Sequence, residues 1–138
     1  MFELNVTYGG ITPQISYALS LGRPEREVEE MFAFCRELYD YSLVELEKKR
    51  TFMDIEQDLN SRLHGAGYEP MTPQIHRYNM SGTMPMGSPP QPGDYFTVHP
   101  NVCSKDYTAS AKFGDAVRIT KEGKVEKLHR TPVQLKII

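Results

Sequence analysis

Cysteine is nearly absent from this chain: two residues among 138 are too few for a disulfide framework. Cys35 falls within an apolar helical stripe, where a free thiol packs as a small hydrophobe, and Cys103 falls in a loop-like segment, so no bridge between them is expected. A basic excess is missing too. Lys and Arg number 16 against 18 Asp and Glu, and the net charge of −2 leaves none of the footprint that nucleic acid or an anionic membrane requires. No apolar run approaches the roughly 20 residues that span a bilayer, and the first residues lack the charged and apolar regions of a secretory signal. A soluble, cytoplasmic protein is expected. The sequons at Asn5-Val6-Thr7 and Asn79-Met80-Ser81 are then chance matches. Repeats and low-complexity tracts are also lacking.

What is present is one domain's worth of chain, 1–138, with 39% apolar residues. A chain of this length buries roughly two thirds of its unfolded surface around one core. Phe2, Leu4, Val6 and Tyr8 alternate with Glu3, Asn5 and Thr7, the period of a strand. After Gly9-Gly10 a second alternating run sets Ile15, Tyr17, Leu19 and Leu21 against Gln14, Ser16, Ala18 and Ser20, which predicts a hairpin. Pro24 opens a helix running to about Lys48, with Val28, Met31, Phe32, Cys35, Leu38, Tyr39 and Leu46 on one stripe. The cations Lys48-Lys49-Arg50 suit a helix C-terminus. Thr51-x-x-Asp54 reads as a capping box for a second helix, which stops at Gly65 or Gly67 and carries Phe52, Ile55, Leu59 and Leu63 on one side.

A strand is predicted over 70–78, then a Pro- and Gly-dense loop from Met80 to Gly93. Its Met80, Met84 and Met86 read as a flexible cover over an apolar groove in preference to a soft-metal site. Strand signals return at 95–98 and 113–120, and a short piece around Val125–His129 follows a turn at 121–124. The segment from Thr131 has no assignment. The order of elements predicts an α+β domain with two helices on one face of an antiparallel sheet.

Several motifs carry a resemblance. They are Tyr8-Gly9-Gly10, Gln14-Ile15-Ser16, Ser20-Leu21-Gly22-x-Pro24, Asp54-Ile55 and Gly67-Tyr68. Pro92-Gly93-Asp94-x-Phe96-Thr97-Val98-His99-Pro100 and Gly114-Asp115-x-Val117-x-Ile119-Thr120-x-Glu122-Gly123, with Leu128, complete the series. In this order the chain resembles the pita-bread metallopeptidases: methionine aminopeptidase, aminopeptidase P, prolidase and creatinase. The resemblance covers the second of that fold's two pseudo-symmetric halves, and implies a curved antiparallel sheet with two helices on one face. The missing half then comes from a partner chain, a further segment or a second copy of this chain.

That family holds two metal ions with two aspartates, a histidine and two glutamates, and the ions activate a water for attack on a carbonyl. By resemblance the aspartate positions fall on Glu3 and Gln14. The histidine position falls on His76, between Ile75 and Arg77 where the family has glycines, and the downstream His-Glu pair becomes Thr83-Met84. The glutamate positions fall on His99 and Gly114. Gln14 and Gly114 are thus degenerate ligand positions, and the carboxylates that would neutralise two close cations are incomplete.

Two readings follow. In the first, the chain has lost the dinuclear site and acts as a binding or assembly module, taking a peptide, small molecule or partner chain in the family groove, with Tyr95 and Thr97 lining the pocket and no cofactor. In the second it is a divergent hydrolase of the Xaa-Pro peptidase kind, or a mononuclear metalloenzyme. It would then hold one iron, zinc, manganese or cobalt ion on Glu3, His76 and His99. Alternation puts Glu3 on the polar face of its strand and His99 with Tyr95 and Thr97, opposite Phe96 and Val98. His64 and His129 read as structural or solvent-facing.

Overall fold

The computed structural model describes residues 2–76, 86–132 and 134–138. Strands β1 (Phe2–Asn5) and β2 (Gln14–Ser20) pair antiparallel, with Glu3 opposite Ser16 and Asn5 opposite Gln14. Tyr8 and Ile11 close the turn by exchanging backbone bonds of 2.9 and 3.0 Å. Gly9 and Gly10 stand at φ 58° and 81°, the doubly left-handed turn whose twist matches a hairpin and which glycine adopts without steric cost.

Two helices follow, α1 (Arg26–Glu47) and α2 (Phe52–Gly65). The first begins two residues after Pro24 without a side-chain cap, while Thr51 caps the second by accepting from the Asp54 amide at 3.1 Å. Thr51→Ala is expected to lower the thermal midpoint by an amount equivalent to about 1 kcal/mol, with Thr51→Ser near wild type. Of the Lys48-Lys49-Arg50 run, Lys48 pairs with Glu45 at 2.6 Å and Arg50 with Glu45 and Asp58 at 3.1 and 2.5 Å. These cations are spent on neighbouring helix carboxylates.

The remaining strands are β3 (Ile75–His76), β4 (Tyr95–Val98), β5 (Asn101–Cys103), β6 (Ser110–Lys112), β7 (Asp115–Ile119), β8 (Val125–Lys127) and β9 (Leu135–Ile137). They form three sheets, β1-β2-β9, β3-β4-β7-β8 and β5-β6, antiparallel except that β9 runs parallel to β2. A bridge between Ser16 and Gly114 joins the first sheet to the second. Of the strand expected over 70–78 only Ile75–His76 is regular among the described residues, and 77–78 lie outside them. Cys103 is buried in β5 instead of lying in a loop, because Val102 and its neighbours pair with β6. Both thiols are free.

The helical stripes meet the sheet as their periodicity predicts. Met31, Cys35, Leu38, Tyr39 and Leu46 of α1 and Phe52, Ile55, Leu59 and Leu63 of α2 are at most 2% exposed. Phe52 packs edge-on against Phe96, and Tyr39 against Phe113, each at 4.9 Å between ring centroids. The hairpin behaves differently. β2 is buried on both faces at Gln14, Ile15 and Ser16, while Leu4, Val6, Tyr8, Leu19 and Leu21 are exposed. An apolar face left to water on a strand pair costs hydrophobic free energy that a covering surface would recover.

Candidate functional site

The buried face of the hairpin, the end of β4 and the start of β7 converge on one polar cluster. Glu3 from β1 and Gln14 from β2 lie diagonally across the strand pair, and the Gln14 amide donates to the Glu3 carboxylate. His99 lies one residue beyond β4, and its Nε2 stands 3.9 Å from Glu3 Oε2. The His76 ring packs edge-on against the His99 ring at 5.2 Å, delivered there by the pairing of Ile75–His76 with Thr97–Val98. Gly114 completes the group: its carbonyl accepts from Ser16 N at 3.0 Å, and its missing side chain leaves room for His99. A Cβ at 114 would lie 2.8 Å from His99 Cδ2 and 2.9 Å from the Val98 carbonyl. Glycine is required there by close approach.

All five positions carried over by resemblance, Glu3, Gln14, His76, His99 and Gly114, are therefore neighbours. Among the described residues, however, no three His, Cys, Asp or Glu side chains are grouped so as to hold a metal ion. Lys112, in β6, donates to Glu3 Oε2 and thereby places a cation against the carboxylate. His99 is 2% exposed, and burial together with the neighbouring His76 pushes its pKa down to about 4. It is uncharged near neutral pH. Among the described residues, both of its ring nitrogens, Gln14 Oε1 and Ser16 Oγ are buried without a hydrogen-bond partner. Such groups each cost roughly 1–3 kcal/mol unless something beyond the described residues meets them.

A second layer fixes these residues. Asn101 is fully buried; its Oδ1 accepts from the Met71 and Thr72 amides at 2.6 and 3.0 Å, and its Nδ2 donates to the His99 carbonyl at 3.1 Å. Glu56 of α2 accepts from the Gln74 and Ile75 amides at 2.8–3.0 Å, so a helix carboxylate holds the segment that presents His76. Burial raises the Glu56 pKa against the pull of those bonds. On the other face of β7 the buried Asp115 bonds His129 at 2.5 Å. His64 meets Glu69 at 3.2 Å near the end of α2.

The two pocket positions separate. Tyr95 lines a cavity of about 580 Å³ with Ile11, Gly93, Arg118, Ile119 and Leu128, whereas Thr97 is 2% exposed and lies outside it. Of the methionines, Met86 packs against the core, and Met80 and Met84 lie outside the described residues, as do Arg77 and Thr83.

Three solved structures match this architecture over 99% of the chain. They are a dipeptidase from Pyrococcus horikoshii OT3 (TM-score 0.82, 15% identity), an Xaa-Pro dipeptidase from Bacillus anthracis (0.77, 17%) and an X-Pro aminopeptidase from Thermotoga maritima MSB8 (0.78, 18%). The fold is the pita-bread fold.

The pita-bread domain described here spans only 40–41% of the length of those three chains. No protein-family model and no curated relative matches its sequence. Among the described residues no helix is long and apolar enough to cross a membrane.

Sequence reasoning missed Lys112, Ser16, Asn101 and Glu56. Ser16 shares the polar face of β2 with Gln14, a signal that period-2 alternation supplies. Lys112 reaches the site through the pairing of β6 with β5, where it stands opposite Asn101. No local pattern announces that register.

Proposed function

We infer that this pita-bread domain has lost the dinuclear centre and serves as a binding or assembly module. The observation that carries the reading is Gly114 against His99: with His99 in place there is no room for a carboxylate side chain at 114. Gln14 contributes a neutral amide, already donated to Glu3. One carboxylate, Glu3, is left for two divalent cations that repel each other at close range, so the residues present do not fit that centre. What remains is a rigid frame with a polar cluster and an apolar hairpin face. The exposed Leu4, Val6, Tyr8, Leu19 and Leu21 support assembly with a covering partner, either a second copy or a chain or segment supplying the missing half.

Elemental analysis of protein purified without chelator tests the reading. Two equivalents of metal per chain, lost on Glu3→Gln, would overturn it; none or trace amounts is the expected result. One observation favours a second reading, a mononuclear metal-dependent hydrolase: among the described residues the His99 nitrogens have no hydrogen-bond partner, and one lies 3.9 Å from Glu3. A single equivalent of iron, zinc, manganese or cobalt that disappears in His99→Ala would select it.

A further inference from the structure

We propose that Lys112 takes the place of a metal ion in this pocket, its ammonium serving as the resident counter-cation of Glu3 and keeping divalent metal out. The inference rests on the reading of the domain as lacking a dinuclear centre, and adds what stands there instead.

Lys112 and Glu3 are 109 residues apart and meet only through the fold. The lysine side chain is 16% exposed and that of Glu3 33%, so the pair is partly enclosed, the lysine more than the carboxylate. Both carboxylate oxygens of Glu3 are engaged, Oε1 by the Gln14 amide and Oε2 by Lys112. The pair is neutral as a unit, so the pocket needs no further cation. Its other polar atoms are of a different kind. His99 Nδ1 and Nε2, Gln14 Oε1 and Ser16 Oγ are buried and, among the described residues, without a hydrogen-bond partner. Of these groups and the Glu3 carboxylate, carboxylate and imidazole are the donor types that zinc or cobalt accepts. The positive charge bonded to Glu3 opposes a dication beside the same carboxylate, and it withholds the oxygen that would be the ion's only anionic ligand.

The lysine is held there by structure. It pairs in register with Asn101, which in turn bonds the His99 carbonyl, so the ammonium and the imidazole are fixed by adjoining strands. The same Glu3 oxygen accepts from Lys112 and stands 3.9 Å from His99 Nε2. Taking away the ammonium would leave a carboxylate with one free oxygen beside a neutral imidazole.

The experiment compares the full chain with Lys112→Met and Lys112→Arg, titrated with zinc by calorimetry and with cobalt by its visible absorption. Lys112→Met is expected to take up one equivalent at least about tenfold more tightly than wild type, and to lose it when combined with His99→Ala. Lys112→Arg, which keeps the charge, is expected to match wild type. A folded Lys112→Met that binds no more tightly than wild type overturns the proposal, as does a wild-type chain that binds one equivalent equally well. Neither result touches the reading that the dinuclear centre is lost, which fails only if wild type takes up two equivalents. Should Lys112→Met not fold, Glu3→Gln/Lys112→Met decides: recovery of the folded state supports the counter-cation role, and failure to recover overturns it.

Discussion

Asn101→Ala is expected to destabilise the domain by about 2 to 3 kcal/mol, read as a fall in the urea midpoint with an unchanged slope. The size follows from what the side chain leaves behind. Asn101 is fully buried, and its amide makes five bonds: Oδ1 to the Met71 and Thr72 amides, Nδ2 to the Thr72 carbonyl, the Thr72 hydroxyl and the His99 carbonyl. Truncation strands the His99 carbonyl in the interior, at roughly 1–3 kcal/mol, and frees the Met71 and Thr72 N–H groups at a partly exposed edge where water can meet them in part. The geometry of the site goes with it, because the turn from His99 to Asn101 and the segment that leads to His76 are tied together through this one amide. Asn101→Asp is the sharper control. It retains the acceptor for Met71 and Thr72 but loses the donor and buries a charge, so it is expected to be at least as damaging as alanine. A loss below about 1 kcal/mol for both would mean that the local backbone satisfies itself.

How far the sequence foretells this architecture depends on the range of the interaction. The hairpin, both helices and the α2 cap were legible because each rests on a local rule: Gly9-Gly10 for the turn, a 3.6-residue stripe from Met31 to Leu46, Thr51 three residues before Asp54. Strands β5, β6 and β9 were not, because their segments are three residues long and are stabilised by partners far along the chain. A three-residue strand carries no period to read. The clearest reversal is the hairpin. Alternation identified its two faces, and hydrophobicity would bury Leu4, Leu19 and Leu21, yet these are exposed, while the polar Gln14 and Ser16 are buried alongside Ile15. The bridge from Ser16 to Gly114 encloses this stretch by docking β2 onto the start of β7. Resemblance assembled Glu3, Gln14, His76, His99 and Gly114 into one place, which spacing alone did not do, since they come from five separate positions on five stretches of chain. It was silent on Lys112, whose ammonium sits among them by a pairing register that neither motif nor periodicity encodes.

Acid is expected to unfold the domain in a window set by His99. In the folded chain burial and the adjacent His76 hold its pKa at about 4, against 6.5 for an unperturbed imidazole. Between those values the unfolded chain binds a proton on His99 that the folded chain refuses. Stability is therefore complete above pH 6.5 and drains away as the pH falls toward 4, by about 3 kcal/mol in all. Glu3 lies 3.9 Å from His99 Nε2 and would favour an imidazolium, but its charge is engaged by Lys112, so it offers little compensation. Asp115 works in the opposite sense. Burial raises its pKa, so its contribution to folding is present at low pH and is lost as the pH rises through the folded value, and that partly offsets the His99 effect. His99→Gln isolates the histidine, because glutamine fills similar space and does not titrate. Urea midpoints measured at pH 7, 5.5 and 4 are expected to fall more steeply for wild type than for His99→Gln, with the difference between the two proteins widening through the window. Parallel curves would assign the acid sensitivity to the carboxylates and leave His99 without a part in it.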